Sequence, residues 1–600
     1  GGVVNVILKK NYTGGEIRAS YDNTWDTDAP RRSAGLSYGA ALEDGKTYLN
    51  LSVAWSDSKD LLLQDRRELI DRGVASIFTN SPSFLYSNTN PFLGALPNIT
   101  AGTTAATTLT LKSGAVIASR RTFIPAGTSP STSSSELEAG LISNAGLWNF
   151  DLPASTQPNT GLLRPLGVSP QTKSFTGGVR RQFGPRVELF ADYTYNENRS
   201  ASVYNPNNSF LIVPATSPVN PFTSAVRVRI TDPAQFPLTT ESTSKSLTIG
   251  AIARLPWNWN AEFDYTRSES KFSSINYLTD GGALSADLAS GILNPFVDTL
   301  MFPLALEKYT VPNVYTGSSK LDDFAIRGSG PLPSLPWGIP NLTLGLGHRI
   351  ASTPENHLDR PYPISKTLSY RYVFFDREDV TNSAYGEVTL PLVKSGHIPM
   401  VHALELQTAG RTEHYTADTG SSYSLTYFDR TPVQIIYGAP TLNGLPYRTR
   451  TRYVSTNATV GLKYQPVADV TIRSSYATAF LPPYPSQLVR NPLPDLFPST
   501  VIDPRTGAMV DVETISGGNP DLKPQNSKSW NVGLIWEPAV ALKGLRVNAE
   551  YYRIEQFDAV GYLSAQQIVD QEEAFPGRVT RDGSGTITGV DITNVNVYRL

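Results

Sequence analysis

The chain has 600 residues, of which 17% are charged, and its formal net charge is −2. This balanced charge argues against nucleic acid as a partner, and the absence of cysteine excludes disulfides and thiolate metal sites. The few histidines are dispersed, which argues against a structural zinc site, so no cofactor is expected. No apolar run approaches the roughly 18 residues of a transmembrane helix, which leaves a soluble protein or a membrane-spanning β-barrel.

Stretches of about ten residues that alternate apolar and polar side chains recur about fifteen times along the chain. The first has Ile17, Ala19 and Tyr21 on one register and Glu16 and Arg18 on the other. The clearest covers residues 454–464, and the next carries its apolar register on Val470, Ile472, Tyr476 and Phe480. Because successive side chains of a strand point to opposite faces, each stretch predicts a strand with one apolar and one polar face.

Aromatic residues gather at the ends of these stretches. They are Tyr21, Tyr38, Trp55, Tyr193, Tyr195, Tyr265, Tyr464, Trp536 and Tyr551. Aromatic girdles at both rims are typical of a membrane barrel, whereas the core of a soluble sandwich or propeller gives no reason for them. We therefore predict an all-β fold, a transmembrane antiparallel up-and-down β-barrel, rather than the soluble alternative.

The connections between the stretches alternate in length. Short turns are predicted at residues 43–45, 184–186 and 256–258, whereas long connections run over about 58–172, 200–242, 272–318 and 481–526. All long connections therefore leave the sheet on one side, which is extracellular in bacterial outer-membrane barrels. A sixteenth strand is predicted near residues 594–600, and Arg448, Arg450 and Arg452 are predicted to form a rim cluster just before a strand.

The first long connection, residues 58–172, is predicted to be a large extracellular insertion with elements of its own. Residues 60–72 have helical spacing and are followed by Gly73, which predicts a helix that stops there. Residues 113–135 are rich in Ser, Thr and Gly and are expected to be mobile. The insertion is interpreted as a lid or docking surface.

Three patterns that carry chemistry in other proteins are interpreted here as structural. Residues 242–245 have SxxK spacing, but the SDN and KTG triplets of acyl-enzyme hydrolases are absent, so the segment is interpreted as a loop entering a strand. Residues 582–586 lack the Gly and Glu positions of an EF-hand and predict a β-turn. Glu262 and Asp264 lie on the polar register of a strand, where lumen water or arginines are the expected partners. No enzymatic activity is expected.

Three segments resemble one protein family, the TonB-dependent outer-membrane receptors. Residues 2–10, with Val4 and Asn5, resemble the last strand of that family's plug domain. The segment with Gly518, Asn519, Pro520, Leu522 and Pro524 is similar to the family's GNPxLKPExS stretch. Residues 475–483, with Tyr476 and Phe480, are similar to its SYAxGFRxP stretch. The chain departs from this second pattern at Ala479 and Leu481, and from the GNPxLKPExS pattern at Gln525.

The resemblance implies a barrel of 22 strands filled by a plug. On this basis residues 1–10 are the last plug strand, and residues 11–600 are a barrel domain whose C-terminal strands are missing; the natural protein is expected to extend beyond both ends. It implies an integral protein of the bacterial cell outer membrane, in contact with outer-membrane lipid. It also implies import of a large or scarce extracellular solute, driven through a TonB-type periplasmic coupling protein that binds the missing plug segment.

Aromatic residues of the long loops are the predicted ligand contacts, because aromatic rings stack on sugars or chelate rings. They are Phe84, Tyr86, Phe92, Tyr204, Phe210, Phe222, Tyr423, Tyr427 and Phe428. The alternative for each is that it packs the loops together. A surface scaffold or adhesin and a secreted polysaccharide-processing enzyme remain open as functions, and the solute remains open among iron chelate, cobalamin, oligosaccharide and peptide.

Overall fold

The computed structural model describes most of the chain. The described residues are 11–80, 96–102, 108–149, 165–167, 170–204, 210–230, 236–360, 369–393, 398–420, 423–428, 431–437, 441–442, 445–446, 448–489, 498–538, 542 and 544–599. The predicted plug strand, with Val4 and Asn5, lies outside them, as do Phe84, Tyr86 and Phe92. The proposed boundary between plug and barrel stays a prediction.

Sixteen antiparallel strands form the main sheet, and each pairs with the next in chain order. They are β1 Gly14–Asp22, β2 Arg31–Leu42, β3 Thr47–Ser58, β4 Gln171–Phe183, β5 Val187–Tyr204, β6 Phe236–Arg254, β7 Asn260–Thr279, β8 Thr310–Pro331, β9 Asn341–Thr353, β10 Arg377–Val393, β11 Ala403–Gly420, β12 Arg448–Gln465, β13 Val470–Leu481, β14 Gln525–Trp536, β15 Val547–Gly561 and β16 Val595–Arg599. This up-and-down order confirms the predicted antiparallel sheet, and β16 is the predicted sixteenth strand.

The apolar register of the main sheet faces outward and is exposed. Ile17 is 82% exposed and Val454 is 64% exposed. Other exposed apolar side chains of the sheet are Leu36, Leu49, Leu51, Val53, Leu189, Leu247, Ile249, Phe263, Val460, Leu462, Trp530, Val532, Leu534 and Val547. On the opposite face, the hydroxyl oxygens of Thr248 and Thr266 are 2.9 Å apart. A soluble sandwich would bury this apolar face, so the arrangement confirms the barrel prediction.

The connections alternate as predicted. Short ones lie at residues 43–46, 184–186, 255–259, 332–340, 394–402, 466–469 and 537–546, and long ones at 59–170, 205–235, 280–309, 354–376, 421–447, 482–524 and 562–594. The short turn after β2 has Glu43 and Asp44 at φ of 55° and 53°, and the amide of Gly45 donates to the carbonyl of Leu42 at 3.1 Å. Such left-handed pairs match the twist of a tight hairpin.

Several strands extend further than predicted. β7 has 20 residues and β8 has 22, whereas a strand tilted across a bilayer needs about 9–11. The connections predicted at 200–242 and 272–318 are therefore shorter, and residues 242–245 lie within β6 and not in a loop. Arg448 likewise begins β12 and does not precede it. The sheet continues beyond the membrane because polar residues keep pairing there.

The loops contain five helices and several small sheets. The helices are α1 Arg67–Asn80, α2 Ser134–Ser143, α3 Gly281–Ser290, α4 Pro485–Leu488 and α5 Ala565–Asp570, and 3-10 helices cover Leu63–Arg66, Pro256–Asn258, Leu306–Tyr309 and Glu572–Ala574, all within the described residues. The predicted stop at Gly73 is wrong, because α1 continues through it. Among the described residues, no helix is long and apolar enough to span a bilayer.

The small strands of the loops are short. One sheet contains Asn98–Ala101, Arg121–Phe123, Phe210–Val213 and Val226–Arg229; a second contains Asn356–Arg360, Ser369–Phe374, Tyr423–Phe428 and Thr431–Tyr437; a third contains Ser499–Ile502, Met509–Ile515, Val579–Arg581 and Ile587–Asp591. Two-stranded pairs join Leu109–Thr110 to Val116–Ile117 and Thr441–Leu442 to Leu445–Pro446. Residues 113–135, expected to be mobile, are thus built into strands and the start of α2.

The hydrophobic cores lie in the loops and not in the main sheet. The first loop cap, defined as residues 96–102, 108–149, 210–230 and 280–309, buries one apolar cluster drawn from three long connections. The second loop cap, defined as residues 482–489, 498–524 and 562–594, buries a smaller cluster drawn from two. Both caps stand at the same end of the main sheet, since all these connections follow odd-numbered strands.

Candidate functional site

The first loop cap is joined across its three connections by hydrogen bonds as well as by apolar packing. The amide of Gly127 donates to the carboxylate of Asp298 at 2.9 Å. The Ser217 hydroxyl donates to the carbonyl of Leu288 at 2.6 Å, and the Lys112 ammonium donates to the carbonyl of Ser217 at 3.0 Å. These bonds link segments far apart in sequence, so the cap is one folded unit.

The start of α2 shows how local sequence builds this cap. The amide of Glu136 donates to the Ser133 hydroxyl at 3.3 Å, and the Glu136 carboxylate accepts the Ser133 amide at 3.2 Å. This reciprocal capping box satisfies two amides that the first turn of a helix leaves free. The Ser133 hydroxyl also lowers the pKa of Glu136. Ser-rich sequence at this point therefore starts a helix.

An arginine holds the second loop cap together. The guanidinium of Arg581 donates to both carboxylate oxygens of Asp503, at 2.8 Å and 3.1 Å, and to Glu572 at 2.8 Å. The Asp503 side chain is 2% exposed. Hydrogen bonds from Arg581 lower the pKa of Asp503 and of Glu572, and the pKa of Arg581 is raised in turn. The network joins the connection after β13 to the connection after β15.

The GNPDLKP segment, residues 518–524, lies at the base of the second loop cap and forms hydrogen bonds with residues near β16. The Asn519 side chain donates to the carbonyl of Asn594 at 3.1 Å and accepts the amide of Asp521 at 2.9 Å. The amide and carbonyl of Lys523 bond the side chain of Asn596, each at 2.9 Å. These contacts tie the chain before β14 to Asn594, directly before β16, and to Asn596 within β16.

Two further residues of this segment explain its composition. A Cβ added at Gly518 would stand 2.5 Å from the backbone nitrogen of Val489, so only glycine allows this approach. Leu522 is 3% exposed, and its carbonyl accepts the hydroxyl of Tyr453 on β12 at 2.9 Å. Within the described residues, the contacts of this segment therefore hold the second loop cap in position on the main sheet.

The polar face of the main sheet carries paired charges. Arg180 donates to Asp192 at 2.8 Å, lies 3.5 Å from Glu188 and covers the ring of Phe190 at 4.7 Å. On β7 and β8, Arg327 and Asp264 are 2.8 Å apart. These pairs confirm that carboxylates of the polar register, Asp264 among them, have arginine partners.

A cavity of about 230 Å³ opens on this polar face. Its lining includes Asp323, Arg349, Arg411, Glu413, Tyr415, Phe480 and Pro482. The two arginines are held by carboxylates, Arg349 by Asp323 at 2.5 Å and Arg411 by Glu413 at 2.7 Å. Phe480 was expected on the apolar face, but β13 pairs with β12 only as far as Ala477, and Phe480 beyond that point lines the cavity.

The aromatic residues predicted as ligand contacts lie in different parts of the described structure and do not form one site there. Phe222 is fully buried in the first loop cap, and its ring lies 6.4 Å from that of Phe296. Phe210 is partly exposed and is covered by the Arg227 guanidinium at 4.3 Å. Tyr204 ends β5, and Tyr423, Tyr427 and Phe428 lie in one strand of the second small sheet. Tyr476 packs on Trp530 at 4.5 Å and belongs to the outer face.

Sequence reasoning missed the arginine network of the second loop cap and the charges of the cavity. Arg581 directly precedes the predicted turn at residues 582–586, and its bidentate partner Asp503 lies 78 residues away in the sequence. The turn itself was predicted correctly, since Asp582 accepts the amides of Ser584 and Thr586. No group of three or more His, Asp or Glu suited to a metal ion occurs within the described residues.

Comparison with solved structures finds several outer-membrane or siderophore receptors among the matches. The ferric-catecholate import receptor Fiu from K12 E. coli is 12% identical with a TM-score of 0.44, over 97% of this chain and 61% of that one. The siderophore receptor PirA from Acinetobacter baumannii is 10% identical with a TM-score of 0.48, over 98% and 59%. The pyoverdine receptor FpvA from Pseudomonas aeruginosa PAO1 is 10% identical with a TM-score of 0.45, over 98% and 58%. The chain thus spans about three fifths of these solved chains.

Comparison with curated proteins finds no match. The family described as TonB dependent receptor-like, beta-barrel, matches residues 174–599, from β4 to the end of β16. The match covers most of the sheet that carries the outward apolar face. The chain therefore belongs to the TonB-dependent receptor-like β-barrel family and is an integral protein of the bacterial outer membrane.

Proposed function

We propose that this chain forms the wall and loops of an importer that binds a large or scarce solute at its extracellular end. The solute then passes the polar lumen with energy from the inner-membrane complex, delivered by a TonB-type periplasmic protein. Coupling is assigned to a plug domain, of which residues 1–10 were predicted to be the last strand. No residue is assigned a bond-making or bond-breaking step in this proposal.

One observation carries the proposal. The long connections all leave the sheet at one end, and five of them are folded into two caps with their own cores. Ordered loops above a polar lumen provide a preformed recognition surface, because little entropy is lost when a solute binds. The charged cavity with Phe480 lies on the lumen side and offers arginine and carboxylate groups to a polar solute.

The test is a binding and uptake experiment with the natural full-length protein. A panel of ferric chelates, cobalamin, oligosaccharides and peptides is titrated, and uptake is measured in cells with and without the coupling protein. Replacement of Phe84, Tyr86 and Phe92 together by Ala should weaken binding at least tenfold, since three aromatic contacts of about 0.5–1.5 kcal/mol each sum to about 1.5 kcal/mol or more. Tyr476→Leu on the lipid side is the control and should bind normally. Unchanged affinity of the triple variant would count against loop recognition. Equal uptake in cells with and without the coupling protein would refute energy coupling, and no uptake of any probe would refute import.

A surface scaffold or adhesin is the second candidate, and the two folded caps favour it because a rigid module suits protein contact. Such a protein would retain adhesion in cells that lack the coupling protein. Cell attachment measured in the same strains therefore separates the two functions.

A further inference from the structure

The third small sheet, in the second loop cap, contains two parallel strands that separate. Strand Met509–Ile515 pairs with Ile587–Asp591 only over its last three residues, where Glu513 lies opposite Gly589. Its first four residues pair with Ser499–Ile502 on the other side, so within the described residues the side toward Ile587–Asp591 has no strand partner there. An unpaired side of a strand presents backbone N–H and C=O groups to a further strand.

A β-bulge at Thr588 explains why the two strands separate. Thr580 pairs with Gly589 and Arg581 pairs with Ile587, so Thr588 is an extra residue in the ladder. Such a residue bends its strand and increases the local twist. The Thr588 hydroxyl donates to the carbonyl of Thr580 at 3.3 Å, which holds the bulge in place. The separation is therefore built into the hairpin and is not a frayed strand end.

A groove of about 850 Å³ lies beside these two strands. Its lining includes Val510, Val512, Ile587 and Val590, which belong to the apolar core of the cap or pack against it. Gly589 lines it as well, and a glycine within a strand lets another backbone approach closely. A cavity of this size falls within the range of ligand sites, about 300–1,000 Å³. Strand backbone above an apolar floor is the combination that binds an extended peptide.

The groove also carries negative charge that no basic side chain neutralises. Asp511 and Glu513 line it and are exposed, and neither forms a salt bridge within the described residues. The Asp511 carboxylate accepts the Thr500 hydroxyl at 2.6 Å, a bond that leaves its charge in place. Arg578 lines the groove too, but its side chain is 16% exposed and donates to the carbonyl of Thr593 at 2.7 Å. Charge complementarity therefore favours a basic occupant.

The spacing of the two carboxylates indicates the pattern of that occupant. Asp511 and Glu513 are two residues apart in one strand, so they share a face about 7 Å apart, while Val512 between them is fully buried. A strand added beside them has the same period, so its alternate residues would meet carboxylates and the residues between would meet the apolar floor. A free peptide end would bring an α-carboxylate into this acidic groove and be repelled. An internal segment of a longer chain carries no such charge.

We propose that this groove binds an internal, extended segment of another protein in which basic and apolar residues alternate. The segment adds as a strand beside Met509–Ile515, and its main chain forms hydrogen bonds with the unpaired side of that strand. Its basic side chains pair with Asp511 and Glu513, and its apolar side chains cover the floor at Val512 and Ile587. Binding at this site requires no import of solute.

Fluorescence anisotropy with the natural full-length protein in detergent tests the proposal. The probe is a labelled peptide of sequence Lys-Val-Lys-Val-Lys with both ends blocked, and unlabelled peptides compete with it. The competitors are the same peptide with blocked ends, with free ends and with every amide N-methylated, and a blocked Glu-Val-Glu-Val-Glu. The blocked basic peptide should compete best and the free-ended one less well. The N-methylated and acidic peptides should not compete, because they lack the main-chain donors or the positive charge.

A paired variant tests the two carboxylates. Asp511→Asn with Glu513→Gln should weaken binding of the probe about fivefold, which corresponds to about 1 kcal/mol from two exposed cross-strand charge pairs. The matched control is Asp570→Asn with Glu573→Gln, which removes two exposed carboxylates of the same cap that do not line the groove. The control should bind the probe normally, and an equal loss in it would overturn the proposal.

The unmodified protein keeps the proposal falsifiable even if a variant fails to fold. Absence of probe binding, or equal competition by the basic, acidic and N-methylated peptides, would overturn it. Competition by the free-ended peptide as strong as that by the blocked one would overturn the assignment to an internal segment. Full displacement of the probe by an uncharged oligosaccharide would show that the groove is a sugar site and would overturn the proposal as well.

Discussion

The main sheet, which forms the wall of the barrel, and the two loop caps place the same kinds of side chain in opposite environments. In the wall, Ile326 is 55% exposed and Leu346 is 62% exposed, because lipid is the partner that covers them. In the first loop cap, Ile99 and Phe222 are fully buried against other protein atoms. Apolar burial between protein side chains therefore stabilises the extracellular end, whereas the wall is held by strand pairing and by the bilayer. The two regions should respond differently to the same class of substitution.

The largest expected effect is a cavity in the first loop cap. Phe222→Ala should destabilise the cap by about 3–5 kcal/mol, because a large buried ring is removed from a packed core. Amide hydrogen exchange of residues 210–230 should increase, while the exchange of β6 to β8 stays slow. Phe210→Ala, at a partly exposed ring, is the control and should have a smaller effect. Equal loss of protection in the wall would show that cap and wall unfold as one unit.

A charge placed on the lipid side should have the next largest effect. Ile326→Arg should destabilise the wall by about 2 kcal/mol, since arginine on the lipid face costs about 2–4 kcal/mol at the midplane and less toward the interface. Urea unfolding in phospholipid vesicles measures this. Ala325→Arg, the neighbouring position on the polar face, pairs with the Asp264 position and should be tolerated. If both variants lose equal stability, the assignment of the two faces is wrong.

The second loop cap should depend on charge more than on its smaller core. Arg581→Met leaves the buried Asp503 carboxylate without its bidentate partner, and an unpaired buried polar group costs more than the lost bond. Exchange of residues 579–591 should increase about tenfold or more, as expected when charge-assisted hydrogen bonds are lost. Arg505→Met is the control, since the Arg505 side chain is 60% exposed and contacts only Glu572 in this network, while the bond from the Arg505 amide to Asp503 remains. A large effect of Arg505→Met would indicate that the whole exposed rim, and not Arg581, holds the cap.

The wall could be predicted from sequence and the caps could not, for a physical reason. Alternation of Leu247, Thr248 and Ile249 repeats every two residues, so a local window shows the strand and its two faces. The caps depend on contacts between distant segments, such as Gly127 with Asp298, for which no local pattern exists. The Ser- and Thr-rich stretch 113–135 is predicted to be mobile from its composition, although it contributes short strands that pair within the first loop cap. The segments that resemble the family predicted the architecture. The structural role of Asn519 could not be predicted, because it depends on a hydrogen bond to Asn594, far away in the sequence.

The smallest expected effect is a dependence of the second loop cap on pH. The lowered pKa of Asp503 and of Glu572 means that each carboxylate is held ionised by Arg581 in the folded cap. Their contribution to stability is present above the unfolded carboxyl pKa, near 4, and is lost as pH falls toward the lowered folded value. After equilibration at each pH, pulse-labelled exchange at one fixed pH should show residues 579–591 opening below about pH 4. Arg581→Met should weaken this dependence, because both carboxylates then lose the hydrogen bonds that lower their pKa most, while the Arg505 amide still donates to Asp503. If the variant opens over the same pH range as the unmodified protein, the acid response arises elsewhere and the cap is held by its apolar core.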